Sequence, residues 1–523
     1  MPLRMTGLAS GMDTESMIQE LMKAQRMKST KIENKITKLE WTQEKWKSLN
    51  SKIYSFYTGV LSKARMESSY LTKKATSSNE GIVEVDAKFT APEGTHTIKV
   101  NSKASSQFVT GGEVQLTGEK AGQKVTYNTL LKNLGFGTTS EVNITVGTES
   151  FKFQMDESKT IGDFVETLQE AGLNVSFDTT YQRFFISSKE TGLQNKFMIS
   201  STGGDLDKLG LGTINGDTIV NGEEESGTKI GANGLTVVSA SDAEIIYNGA
   251  TLTSSSNTLS VNGLSITVKG VTDKGNNVID PSDDEVININ INNDTQAVYD
   301  MITDFIKSYN ELLKEVNTGY YADSSRGYDP LTDEQRKAMS DEEVEKWENK
   351  IKDSLLRRDN NLYSVMNAMK AHMSQKVAVN NKGYSLVDFG VAAVDYSEKG
   401  ILHINGDEDD TLVAIKENDL MKALTEDPET VMKVFTELAG DLYKTMTEQM
   451  ESTSLRSALS FYNDKLMSKT LKQYKEDLSD MENKLIGIEN RYYRQFAAME
   501  TALSQMNAQS SSMASLLGLN TQK

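Results

Sequence analysis

The residues able to do chemistry in this chain are few and scattered. Its three histidines, His96, His372 and His403, lie far apart and cysteine is absent, so the close Cys/His spacing of a zinc site does not occur. Thiolate nucleophiles and disulfides go with the cysteines. There is no Gly-x-Ser-x-Gly elbow, and residues 111–120 lack the Gly-Lys-Ser/Thr ending of a phosphate loop. The acidic loop Asp323-Ser324-Ser325-Arg326-Gly327-Tyr328-Asp329 has a faint likeness to a calcium loop, but its glycine falls at the fifth position and the third and fifth ligands are wrong. Asp407-Glu408-Asp409-Asp410 reads as a solvated turn. A carboxylate pair for glycoside hydrolysis is invisible to sequence spacing, and nothing local supports one. We therefore expect no catalytic residue, no metal ligand and no cofactor.

Composition narrows the partners. The 523 residues carry 74 acidic against 56 basic side chains, a net charge of −18, which repels phosphate backbones and acidic membrane surfaces. Nucleic acid is an unexpected partner. A cysteine-free chain suits work outside the cell without oxidative staples. The opening Met1-Pro2-Leu3-Arg4-Met5-Thr6-Gly7 has no apolar core of a cleaved signal, and no stretch reaches the ~18 apolar residues of a membrane span. Export without a cleaved signal, and no membrane insertion, are the expectations. Only five prolines occur, which favours long helices.

What these residues must be mounted on is clearer. Ile18, Met22, Gln25, Ser29, Ile32, Ile36, Leu39, Gln43, Trp46, Asn50, Ile53, Tyr57 and Val60 alternate by fours and threes, and so do Leu471, Tyr474, Leu478, Met481, Leu485, Ile488, Tyr492, Gln495, Met499, Ala502, Met506, Gln509, Met513 and Leu516. That alternation keeps one stripe on one helix face and is the coiled-coil signature. Asp13 is a candidate N-cap for the first helix, which runs, with room for an interruption, to about residue 63. A lone two-helix hairpin built on such seams is marginal against the entropy of ordering it, so further helices, from other chains among them, are needed. Met481, Met499, Met506 and Met513 give the second seam side chains that repack at little cost.

From Thr76 the period falls to two. Val83, Val85, Ala87 and Phe89 alternate with polar residues; residues 142–146 and 151–153 form a hairpin, Ile161, Phe164, Val165 and Leu168 have helical spacing, and residues 175–186 form a second hairpin. Strands resume from residue 235 and bracket residues 111–232 as an insertion. Helical period returns after Asp294 with Val298, Ile302, Phe305, Tyr309, Leu312 and Val316, then with a Ser340/Glu343 capping box before Val344, Trp347 and Ile351. Helices continue to about residue 517, with Gly440 as a candidate break. The fold class expected is multidomain α+β: terminal helices form a coiled-coil or helical-bundle base, and the middle of the chain forms two β-rich outer domains. The domain map reads 1–40 plus 485–523 as terminal coiled coil, 41–75 plus 294–484 as helical bundle, 76–110 plus 233–293 as a β-rich domain and 111–232 as an inserted β-rich outer domain.

Particular residues carry a family resemblance. Gly7-Leu8-Ala9-Ser10-Gly11-Met12-Asp13 followed by Ile18-x-x-Leu21-Met22, and the closing run from Arg494 through Phe496, Met499 and Leu503 to Asn507-Ala508-Gln509-Ser510-Ser511, resemble the two ends of bacterial flagellar filament cap proteins, the hook-associated protein 2 family. Asn248-Gly249 with Ser254-Ser255-Ser256-Asn257-Thr258, Phe305-Ile306-Lys307-Ser308-Tyr309-Asn310, and Asp427-Pro428 before Val434-Phe435 are similar too. The resemblance implies a non-enzymatic, secreted assembly factor at the distal tip of the flagellum. It would be a ring-shaped homo-oligomer that promotes folding and insertion of exported flagellin. The partners implied are the filament or hook-filament junction and a type III export chaperone. Filament and subunit contacts would fall on Leu8, Met12, Ile18, Leu21, Met22, Ile32, Ile36, Leu39, Leu485, Ile488, Tyr492, Phe496, Met499, Leu503, Met506, Met513 and Leu516. A flagellin-like filament subunit and a mucus-binding surface adhesin are the alternatives.

Overall fold

A computed structural model of the chain describes residues 13–136, 140–203, 206–215, 218–219, 223–225, 228–231, 234–272 and 285–516. It divides into two compact units, one of residues 1–70 with 295–523 and one of residues 71–294. The chain starts in the first unit, builds the second and returns.

Helix α1 (Thr14–Phe56) opens on Asp13, whose carboxylate accepts from the Ser16 N–H at 3.0 Å, with Glu15 in the positively polarised first turn. Its 43 residues make a rod of about 65 Å. The expected interruption falls at Tyr57–Leu61, a π-helical turn in which Gly59 leaves helical dihedrals (φ −88°, ψ −106°).

The described strands of the unit formed by residues 71–294 pair antiparallel and build two cores. In the first, a five-stranded sheet has the order Lys73–Ser77, Ile287–Asn293, Gly94–Ser102, Ala243–Tyr247, Ala250–Ser254, and a three-stranded sheet has the order Thr258–Val261, Leu264–Val268, Val83–Ala87. Alternation decides which face goes in: Ile287, Ile289 and Ile291 are buried while Asn288 and Asn290 face solvent. The second core holds α2 (Ile161–Glu170), started by a reciprocal Thr160/Asp163 capping box. Phe164 of α2 meets Phe184, their ring centroids 5.7 Å apart, and Phe184 meets Phe177 at 4.9 Å. The two hairpins read around this helix both form, yet they belong to different sheets: Glu141–Val146 with Glu149–Gln154 in one, Leu173–Asp178 with Arg183–Ser188 in the other. The strands entering and leaving this region, Phe108–Thr110 and Thr236–Val238, pair with each other.

The returning chain adds α3 (Thr295–Tyr320), α4 (Asp341–Ser354), α5 (Asn360–Ser374), α6 (Asp419–Glu426), α7 (Pro428–Gln449) and α8 (Asp464–Leu516). The α3 stripe is wider than its seam, since Ile306 and Leu313 are buried beside Ile302, Phe305, Tyr309 and Val316. With Trp46, Leu49, Ile53 and Phe56 of α1 and Phe435, Leu438 and Leu442 of α7 they form one core. The Ser340/Glu343 box starts α4, and Asp427 caps α7 with Pro428 in its first turn. The break expected at Gly440 does not occur. A helical glycine costs only ~1 kcal/mol relative to alanine, and the buried Leu438, Ala439 and Leu442 hold α7 through it. The chain turns instead at residues 450–463, where Leu459 takes a positive φ of 62°.

Asn50 of α1 holds that turn. Its Nδ2 donates to the Leu459 carbonyl at 3.2 Å and its Oδ1 accepts from the Phe461 N–H at 2.8 Å; one turn away, Trp46 stacks on Tyr462 with centroids 5.3 Å apart. Asn50, a polar position in an apolar seam, is thus the anchor of the next helix. Asn50→Ala leaves two backbone groups without a protein partner and should lower stability by about 1–3 kcal/mol, read as a lower urea midpoint at unchanged denaturant slope.

Candidate functional site

The terminal helices meet as an antiparallel pair. Glu15 accepts from the Tyr493 hydroxyl at 2.9 Å, Glu40 pairs with Lys475 at 2.8 Å, and Asn50 bonds to Phe461. Partner numbers fall as α1 numbers rise, so the pair closes at the 450–463 turn and runs toward both chain ends. Ile18 and Met22 are buried with Leu485, and Met481, Ile488, Tyr492, Tyr493 and Phe496 pack against them. Thr14, Ser29 and Ile36 are buried further along the same α1 face. The small Ser29 donates its hydroxyl to the Arg26 carbonyl at 2.9 Å, so burial leaves it satisfied.

The seam residues thus fall into classes that spacing does not separate. Ile18, Met22, Ile36 and Leu485 are buried; Ile32, Leu39, Ile488, Tyr492, Phe496, Met499 and Leu503 are half-buried. Leu21 is exposed, and Met506 and Met513 expose 63 % and 66 % of their surface. Leu8 and Met12 lie outside the described residues, as does the side chain of Leu516. Beyond Met499, α8 has no described turn of α1 beside it. Its last turns therefore carry an apolar stripe with nothing from this chain, among the described residues, to cover it.

A second outward stripe went unread in the sequence. Met17, Leu21 and Met27 are all exposed on the flank of α1, with Ala24 between them, and Ile486 is exposed on α8. The 17, 21, 24, 27 spacing signals it, one residue out of phase with the stronger stripe. A helix with two adjacent apolar stripes can meet one partner in its own chain and another outside it.

The family model for the C-terminus of flagellar hook-associated protein 2 matches residues 240–508, and that for its N-terminus matches residues 10–107. The chain belongs to this family. Family membership makes it a flagellar filament-cap protein, extracellular and placed at the distal end of the filament. A flagellar hook-associated protein 2 of Halalkalibacterium halodurans is 26% identical over 98% of this chain and 99% of its own length. The B-type flagellar hook-associated protein 2 of Pseudomonas aeruginosa is 24% identical over 88% of this chain and 86% of its own. The crystal structure of the D1-D2-D3 domains of the flagellar cap protein FliD from Escherichia coli covers 78% of this chain and 97% of its own at 18% identity and a TM-score of 0.49, a likeness too loose to transfer detail. The filament-subunit and adhesin readings find no support in these comparisons.

The groups weighed for chemistry have structural partners. Asp329 pairs with Lys38 at 2.7 Å and its carbonyl accepts from Trp347 Nε1 at 2.9 Å, which ties the calcium-like loop to α1 and α4. His96 stacks on Tyr247, and His372 Nε2 lies 2.8 Å from the Thr445 hydroxyl. No set of side chains suited to a metal ion occurs among the described residues, and no described helix is long and apolar enough to cross a membrane.

His403 is the exception in charge. It is buried, with Nε2 2.9 Å from Glu398 and Nδ1 bonded to Asp410. Burial pulls its pKa down, but the hydrogen bonds the imidazole donates to Asp410 and Glu398 outweigh it and hold the imidazole above its ordinary 6.5. A pKa raised by folding stabilises the protein fully below the unfolded value, and the contribution is lost as pH rises through the folded value. The stability gap between wild type and His403→Gln should therefore be widest near pH 5 and shrink toward about pH 9, measured as urea midpoints across that range.

Proposed function

We propose that this chain works as one copy of a ring that closes the filament tip, and that its terminal helix pair is the part that meets neighbouring copies and the filament. The apolar surface on α1 and α8 that no described residue covers carries this reading. Exposed apolar side chains along helices of a soluble protein mark candidate interaction surface, and here Met17, Leu21 and Met27 of α1 and Met506 and Met513 of α8 supply it. Methionine is flexible enough to repack against a changing partner, which suits a cap that stays attached while flagellin enters beneath it.

The role is mechanical and non-catalytic in this reading. Flagellin is the client, and a type III export chaperone keeps the exposed ends apart before assembly. The domain map has the support of four separate apolar cores. One joins α1 to α8 around Ile18 and Leu485, one fills the helical bundle, and two fill the sheets.

The test is to restore a strain lacking this gene with Met506→Asp/Met513→Asp. The purified variant should melt with the wild type, since neither side chain is packed in the described chain. Filaments should be short or absent, with flagellin accumulating in the medium. Full-length filaments and normal swimming would remove the terminal helices from the assembly surface.

A further inference from the structure

Asparagine followed by glycine is the pair whose side-chain amide is most easily lost, because the next backbone nitrogen, unscreened by a Cβ, can reach the asparagine Cγ. Asn248-Gly249, Asn262-Gly263 and Asn405-Gly406 are described in full. The first two make a controlled comparison within one chain. Each is the two-residue turn of a hairpin, with φ of 48° and 86° in one and 51° and 79° in the other, the left-handed pair that a type I′ turn requires.

Their side chains differ. Asn248 Oδ1 accepts from the Thr97 N–H at 2.9 Å and its Nδ2 lies 2.9 Å from His96 Nδ1. Asn405 Nδ2 donates to Asp419 at 3.0 Å, and the Gly406 N–H, the would-be nucleophile, donates to the Val413 carbonyl at 3.0 Å. Asn262 is exposed, and among the described residues its side chain has no hydrogen-bond partner. Its turn closes directly on the Val261–Leu264 pair, and the hairpin lies at the edge of its sheet.

We propose that Asn262 is a site of spontaneous conversion to aspartate and isoaspartate, while Asn248 in the matching turn is protected. The Gly263 nitrogen gives its proton to solvent base and bonds to Asn262 Cγ; the Cγ–Nδ2 bond breaks and ammonia leaves, closing a succinimide. Water then opens the ring. Cleavage between Cγ and nitrogen yields aspartate, and cleavage at the main-chain carbonyl yields isoaspartate. No oxidant or reductant takes part.

The location gives the change a consequence. Gly263 lies so close to Ala91 that a Cβ there would sit 2.8 Å from the Ala91 nitrogen, and its carbonyl accepts from the Lys88 N–H at 2.8 Å. Isoaspartate routes the backbone through the β-carbon and adds a methylene to a turn with no slack. The Lys88 bond and the strand Val83–Ala87 beyond it are where the hairpin loosens.

The experiment ages the purified full-length protein in mildly alkaline buffer and follows each Asn-Gly peptide by mass spectrometry and isoaspartate-specific methyl labelling. Asn262 should convert at least about tenfold faster than Asn248, since two hydrogen bonds must break before Asn248 can react. In denaturant the two rates should converge. Asn262→Gln should abolish the label on that peptide and leave the others. Equal rates in the folded protein, a faster Asn248, or a folded Asn262 that stays unmodified while the denatured chain reacts would each overturn the proposal.

Discussion

The helical unit depends on where α8 begins along α1. Asn50 holds Leu459 and Phe461 by their backbone groups, and Trp46 stacks on Tyr462; together they set the register for a helix of 53 residues. Packed helices tolerate sliding by a turn when their interface is a uniform apolar stripe. A fixed polar contact at one end removes that freedom, and the ion pair and hydrogen bond at Lys475 and Tyr493 then fall opposite Glu40 and Glu15.

From that closed end the pair loses coverage steadily. Trp46, Leu49, Ile53 and Phe56 are buried in a many-helix core, whereas among the described residues Ile18 and Met22 are covered by α8 alone, and Met506 and Met513 have nothing in the described chain. Local stability follows buried apolar contact, so the two helices are firmest where they join the bundle and loosest toward the chain ends. This gradient places rigidity and adaptability on the same two helices.

The sheet unit solves a different problem. A long stretch of chain has to leave a strand pair and return to it without leaving an open edge inside the fold. Phe108–Thr110 and Thr236–Val238 do this by pairing at the point of departure, which also makes them central strands of a six-stranded sheet. Turn chemistry then supplies the local closure, and the same Asn-Gly geometry is guarded in one hairpin and open in another because only one has His96 and Thr97 beside it.

Much of this was legible in the order of residues. Periodicity located α1, α3 and α8, capping chemistry placed the starts at Asp13 and Ser340, and strict alternation puts Ile287, Ile289 and Ile291 on one face, because each of these signals is local to a few turns or strand residues. Which of two stripes on α1 faces its own chain was not legible, nor that Asn50 is an anchor, that the two hairpins around α2 sit in different sheets, or that Glu398 and Asp410 converge on His403. Those outcomes depend on groups distant along the chain being brought within contact range, and a helical or alternating pattern fixes only a residue's face, never what will lie against it.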